Sequence, residues 1–364
     1  METRARIFTP GPVELHERVL TALSKQVLSH RSAEFRKVLA EILEGVRRAA
    51  LSEHAVPLLL TGSGTLAVDS MVYSIVDPGD EVILLEFGEF GSRLRKTLET
   101  RGCHVTVLRA RPGRAVEVEE VEEVLDTRSN YRALFTVHNE TSTGAKLSDL
   151  REIAEEAKKR GLLVCIDAVS SLGGEPLYMD AWGIDAVATC SQKCLGGPPG
   201  LSFVLLSREA VRRARETKAK PPYLDLSKYI EFAEKFETPF TPAVNLLFAM
   251  REALTLLAEE GLQRRWARYA NLASRLYTEL GELGLEAFPE RDFRANTIVA
   301  LRPPPGLSAS IVVDKLEEEG VIIARGMGEL RDSMLRIGVM GYMTDEDVDT
   351  IVSAFGRVME GLSK

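Results

Sequence analysis

Lys193 stands in Ser191-Gln192-Lys193, between an apolar run ending at Thr189 and the turn Gly196-Gly197-Pro198-Pro199-Gly200. A lysine crowded in such a place has a lowered pKa, and its free amine can form a Schiff base with a carbonyl. A lysine alone on a surface would do neither. Asp167 ends the apolar run 162–166. A carboxylate there faces the ligand crevice of an open sheet, or else caps a helix or turn. Thr61-Gly62-Ser63-Gly64-Thr65 lies between a strand-like piece and a helix. Its backbone N–H groups and hydroxyls make an anion site, or a plain packing turn. It is neither the dinucleotide glycine fingerprint nor a P-loop, which needs a following Lys-Ser/Thr. His138-Asn139-Glu140-Thr141-Ser142-Thr143-Gly144 follows the run 133–137. These four polar loops, after Leu60, Val137, Ile166 and Thr189, share one rim if the runs are strands of one parallel sheet.

The chain supplies the elements for such a sheet. Strand candidates fall at 82–85, 105–108, 133–137, 162–166, 186–189 and 203–206, with helix patterns between several of them. Continuous apolar strands separated by helices predict a mostly parallel sheet covered on both faces. Phe35, Val38, Leu39, Ile42, Leu43 and Val46 repeat as one face of a helix. A second helix is predicted over 150–160, with Ser148 as its cap. The segment up to Pro12 reads as irregular. Beyond residue 242 the pattern changes. Long helices run to Gly261 and then to about Leu280. Strand pieces follow at 297–301, 321–324 and 334–339, with helices at 308–319 and 344–360. Thr344 and Asp347 have capping-box spacing. The expected fold class is α/β, with a large domain over 13–242. A smaller α+β domain covers 243–364, with segment 1–12 packing nearby.

The 364 residues carry 46 Lys and Arg against 54 Asp and Glu, a net charge of −8. That balance argues against nucleic acid or an anionic membrane as partner. No run of about 18 apolar residues marks a transmembrane helix. The N-terminal stretch METRARIFTPGP lacks a signal-peptide apolar region. Four cysteines make no disulfide framework, and Cys190 and Cys194 lack companions for a zinc site. The expectation is a reduced, cytoplasmic protein without a metal.

Taken in order, these motifs resemble the class V aminotransferases of pyridoxal-phosphate fold type I. Within them, the chain is most similar to the alanine–glyoxylate and serine–pyruvate or serine–glyoxylate group. The resemblance spans nearly the whole chain. It rests on Thr9-Pro10-Gly11-Pro12, His30-Arg31-Ser32, the Gly62-Ser63-Gly64 loop and residues 138–144. Further along it rests on Asp167 to Gly174, Ser191-Gln192-Lys193, Pro198-Pro199-Gly200 and Leu335-Arg336-Ile337-Gly338. It implies pyridoxal 5'-phosphate bound through Lys193 as the Schiff-base lysine, with Asp167 on the pyridine nitrogen. It places Ser63, Gly64, Thr65 and Gln192 on the phosphate, Thr141 on the phenolic oxygen and Phe90 stacked on the ring. Arg336 would grip the substrate carboxylate, with Gly11 and Ser171 beside it. Thr241, in the segment 238–243, would reach the phosphate of a neighbouring subunit in a homodimer. Some relatives carry tryptophan at Phe90, histidine at Thr65 and tyrosine at Thr238.

The implied activity is a ping-pong transamination between serine or alanine and glyoxylate or pyruvate. Aspartate or another donor, with Arg31, Arg93 or Arg325 near the pocket, is the alternative, as is a lyase on the same fold. A desulfurase would need a reactive cysteine on a mobile loop, and none lies in the C-terminal half. A binding module would not need both Lys193 and Asp167. A nicotinamide dehydrogenase would need the glycine fingerprint that is missing.

Overall fold

The structure, a computed structural model, describes residues 5–127 and 130–362. Seven strands form the large sheet: β1 (Val56–Thr61), β2 (Glu81–Glu86), β3 (His104–Arg109), β4 (Ala133–Val137), β5 (Leu163–Asp167), β6 (Ala186–Cys190) and β7 (Leu201–Leu206). Their spatial order is β1-β7-β6-β5-β4-β2-β3. All run the same way except β7, which lies antiparallel to both β1 and β6. The sheet is therefore mostly parallel, as expected.

Alternate residues of each strand enter different cores. Leu59, Ile83, Leu85 and Leu134 pack on one face with helices Ala33–Ala49, Leu150–Lys159 and Val244–Glu260. Leu58, Leu60, Val82, Leu84 and Phe135 pack on the other with helices Gly64–Ile75 and Glu89–Arg101. Burial on both faces is why the strands read as unbroken apolar runs. Helix Ala33–Ala49 buries the six residues whose spacing predicted it, and Ser32 caps it by accepting the Phe35 N–H at 3.1 Å. Helix Leu150–Lys159 is not capped by Ser148, whose hydroxyl instead donates to the Asp292 carbonyl.

A second sheet is antiparallel: Glu286–Ala287, Ile298–Arg302, Leu335–Gly338 and Ala324–Arg325 in that order. Helices Leu262–Glu282, Ala309–Glu318 and Asp345–Leu362 pack on it. Asp347 accepts the Thr344 N–H at 2.8 Å and its hydroxyl at 3.2 Å, which makes one half of the predicted box. Helix Val244–Glu260 packs with the large sheet's core, and the second core is built from residues after Glu260 together with Phe8 and Cys194. The expected strand at 321–324 is two pieces. Val321–Ile322 pairs with a short strand Arg6–Ile7, correcting the irregular reading of the N-terminal segment. The chain then passes Phe8, whose carbonyl accepts the Gly338 N–H at 2.7 Å, and so joins that strand pair to the second sheet. No helix among the described residues is long and apolar enough to cross a membrane.

Candidate active site

Strands β1, β4, β5 and β6 end on one rim, and the polar loops that follow them meet there. Past β1, the Gly62 N–H bonds the Gly200 carbonyl at 2.8 Å and fixes the turn. Ser63 then occupies the N-cap of helix Gly64–Ile75 in an extended conformation, yet its hydroxyl makes no capping bond. The helix terminus thus keeps its positive end and a spare hydroxyl for something else. A Cβ on Gly64 would lie 2.8 Å from Val169 Cγ2, so only glycine lets the helix start so close to the β5 loop. Ser63, Gly64, Thr65, Phe90, Asp167, Gln192 and Lys193 all line one cavity of about 120 Å³.

Asp167 is 6% exposed, and its carboxylate accepts one N–H, from Val169 at 2.9 Å. Burial pushes its pKa up to about 6, with Glu140 adding to the rise and Lys193 and Arg93 opposing it. Lys193 follows β6 by three residues, in a turn closed by the Gly196 N–H on the Lys193 carbonyl. Gly11, at φ +85°, lies against it so closely that a Cβ there would be 2.4 Å from Lys193 Cδ. The amine donates to the Pro10 carbonyl, a neutral partner. Burial lowers the Lys193 pKa. Burial thus disfavours the charged ammonium, the direction that favours a nucleophilic amine.

Gly11, Thr141, Ser171 and Arg336 do not line that cavity; Thr141 and Arg336 meet beyond it, between the loop after β4 and the second sheet. Thr141 and Ser170 share a hydrogen bond between hydroxyls. Arg336 reaches across from strand Leu335–Gly338, giving Nη1 to the Thr141 carbonyl at 3.0 Å and Nε to the Arg325 carbonyl at 2.8 Å. Burial lowers its pKa to about 10, and Glu140 partly offsets this. Among the described residues no carboxylate pairs with Arg336 within 4 Å. Ser171 is fully buried, with a hydroxyl that bonds nothing in the structure. Thr241 is exposed and does not line the cavity of its own chain.

Reading the sequence gave Glu140 no role of its own. It is completely buried, and its carboxylate accepts the Phe90 N–H at 3.1 Å, the Gly91 N–H at 3.0 Å and the Ser142 hydroxyl at 2.6 Å. It caps helix Glu89–Arg101 from another element and so sets Phe90 at the cavity. Nothing local in the sequence joins residue 140 to residue 90; the signal was a glutamate inside a polar loop after a buried strand. Of the three arginines considered for the pocket, Arg93 alone lines it. Arg31 is tied to Glu237 and to the Thr238 carbonyl, and Arg325 pairs with Asp314. The four cysteines are buried thiols, and burial pushes Cys190 up to about 12, far from thiolate reactivity. No metal-binding cluster occurs among the described residues.

Residues 13–351 match the family model Aminotransferase class-V. Alanine–glyoxylate aminotransferase of Oryctolagus cuniculus is 34% identical over 364 residues, covering 97% of this chain and 92% of that protein. The crystal structure of alanine–glyoxylate aminotransferase from Nostoc sp. superposes with a TM-score of 0.93 at 32% identity, covering 99% of this chain and 96% of that one. A subgroup IV aspartate aminotransferase from Thermus thermophilus gives 0.90 at 33% identity, covering 98% and 99%. The cavity fits pyridoxal phosphate on its own terms. It offers an uncommitted helix terminus and hydroxyl for a phosphate, a desolvated amine for an aldehyde and a buried acid for a ring nitrogen. The chain belongs to the class V aminotransferases, pyridoxal-phosphate enzymes of fold type I.

Proposed function

We propose that this aminotransferase moves an amino group from serine or alanine to glyoxylate or pyruvate, in two half-reactions of ping-pong type. The observation that carries this reading is Arg336, a buried guanidinium with no carboxylate partner, standing beside the Thr141 loop. A buried cation needs an anion, and an α-carboxylate presents two oxygens to its fork. In this reading Ser63, Gly64, Thr65 and Gln192 hold the cofactor's phosphate, Phe90 covers its ring and Thr141 donates to its phenolic oxygen. The bound cofactor supplies the aldehyde that takes up the amino group and the ring that accepts the electron pair left at Cα. Asp167 keeps the ring nitrogen protonated. Lys193 would hold the cofactor's aldehyde and serve as the base that takes the proton from the substrate's Cα. Gly11 and the buried Ser171 belong to the substrate's side of the site in this reading.

The reading includes a homodimer. Tyr223 and Phe240 form an exposed stacked pair at 5.0 Å, and Tyr223 bonds the Thr61 carbonyl at the mouth of the phosphate loop. Thr241 follows directly and would reach the second copy's phosphate. Small substrates are supported by the alanine–glyoxylate relatives. Aspartate as donor is the second reading, favoured by Arg93 on the cavity wall and by the aspartate aminotransferase among the similar structures.

The test is a half-reaction screen. The yellow holoenzyme is mixed with one amino acid at a time, without oxo acid, and the loss of colour is timed. Serine or alanine should bleach it fastest, and glyoxylate or pyruvate should restore it. Fastest bleaching by aspartate would move the assignment to the second reading, and no bleaching by any amino acid would end both.

A further inference from the structure

We propose that Arg93 binds the cofactor's phosphate, supplying a full positive charge that the cradle otherwise lacks. A phosphate monoester carries roughly −1.5 to −2 charges at neutral pH. Against it, the Ser63-Gly64-Thr65 turn offers a helix terminus equivalent to about half a charge, and neutral hydroxyls. Gln192 is neutral. The Lys193 amine is committed to the aldehyde. Among the described residues of one chain, Arg93 is the remaining cation on the cavity wall.

Its position matches the task. Arg93 lies three residues after Phe90 on helix Glu89–Arg101, so both side chains share a face. The guanidinium carbon sits 4.9 Å from the Phe90 ring centroid, and Nη1 lies 3.5 Å from Thr65 Oγ1. The arginine therefore stands at the helix-terminus end of the cavity, which neither Thr141 nor Arg336 lines. Asp69, one turn past Thr65 on helix Gly64–Ile75, feels the Arg93 charge but takes the Thr97 hydroxyl at 3.0 Å. Among the described residues Arg93 forms no ion pair within 4 Å. Its aromatic seat and an acid at a distance aim the fork while leaving its donors open.

The test separates phosphate from ring. Full-length protein is stripped of cofactor and titrated with pyridoxal 5'-phosphate and with unphosphorylated pyridoxal. Wild type should prefer the phosphorylated form strongly; equal affinity for both would sink the phosphate cradle itself, apart from any role of Arg93. Arg93→Gln should weaken pyridoxal phosphate tenfold or more and change pyridoxal less than twofold. Arg93→Lys should recover most of the loss, and Lys96→Gln, on the same helix but off the cavity, should change neither. Equal losses for both ligands would mean that Arg93 merely props Phe90. Unchanged cofactor affinity with a raised KM for aspartate would mean that it grips an acidic donor. Either result overturns the proposal.

Discussion

Where β2 begins, Arg101 gives hydrogen bonds to the carbonyls of Val76, Ala219 and Lys218 and reaches Asp77 at 3.4 Å. Beside it, Arg213 bonds the Ile75 carbonyl, Asp77 and Asp80. At the opposite edge, where β5 and β6 end, Lys193 has the Pro10 carbonyl, Asp167 has one N–H and Arg336 has two carbonyls but no anion. Both edges bury charge in the same fold. The first satisfies it fully, and a satisfied buried network specifies structure. The second leaves it short of partners, which costs stability and holds the groups ready for a ligand. Two edges of one sheet thus divide the labour of holding together and reacting.

The largest effects should separate the edges cleanly. Lys193→Ala removes both the covalent anchor and the proton carrier, so turnover should fall by at least about 10³-fold. Its melting temperature without cofactor should hold or rise, because an awkwardly buried amine is gone. Borohydride should fix the cofactor to wild type at Lys193 and leave the variant unlabelled. Arg101→Ala should do the reverse. It strips three carbonyls of their donor and should cost about 3 kcal/mol of stability by denaturant titration, with kcat within a factor of two or three. An Arg101→Ala protein as stable as wild type would erase the contrast.

The division also governs what the sequence displays. Lys193 and Asp167 follow runs buried on both faces, so their place at strand ends could be seen without coordinates. The direction of β7 could not be taken from its composition, since a strand buried on both faces looks alike either way. Its loop held the signal: the ten residues 191–200 are too few for a parallel crossover of a dozen or more. The pairing of Arg6–Ile7 with Val321–Ile322 spans most of the chain, and two residues show no periodicity. Ser148 has the right type for a cap but spends its hydroxyl on Asp292, a tertiary choice. Glu140 likewise acts through Phe90 and Gly91, some fifty residues away in sequence. Local pattern reveals where a group leaves an element, not what it meets.

Asp167→Asn should sharpen the comparison through pH. The carboxyl titrates at about 6 in the folded chain, above its ordinary 3.8. A raised folded value means that the stability linked to it is complete below about 3.8 and is lost as pH rises through 6. At pH 8 the cofactor-free wild type therefore bears the full cost of a buried ion, up to about 3 kcal/mol for a shift of this size. Asparagine can keep the Val169 hydrogen bond without that charge. The variant should melt higher than wild type at pH 8, and the two should converge below pH 4. With cofactor bound, the same change should slow the half-reaction, because asparagine cannot hold the ring nitrogen protonated. A variant less stable at pH 8 would show that Asp167 belongs with Arg101 as a structural acid.

Arg336→Lys should give the smallest and most diagnostic change. Arginine has five donors, of which two are spent on the carbonyls of Thr141 and Arg325, leaving N–H groups for a carboxylate. Lysine keeps the charge but loses the planar fork and the two anchors that aim it. About 1–2 kcal/mol of binding should go, which is roughly tenfold in KM. The amino donor and the oxo acid carry the same carboxylate on the same carbon. Both KM values should therefore rise together, with kcat changing less. A rise for one substrate alone would place the arginine on a side chain rather than on the shared carboxylate, and the anion that completes this edge of the sheet would have to be sought elsewhere.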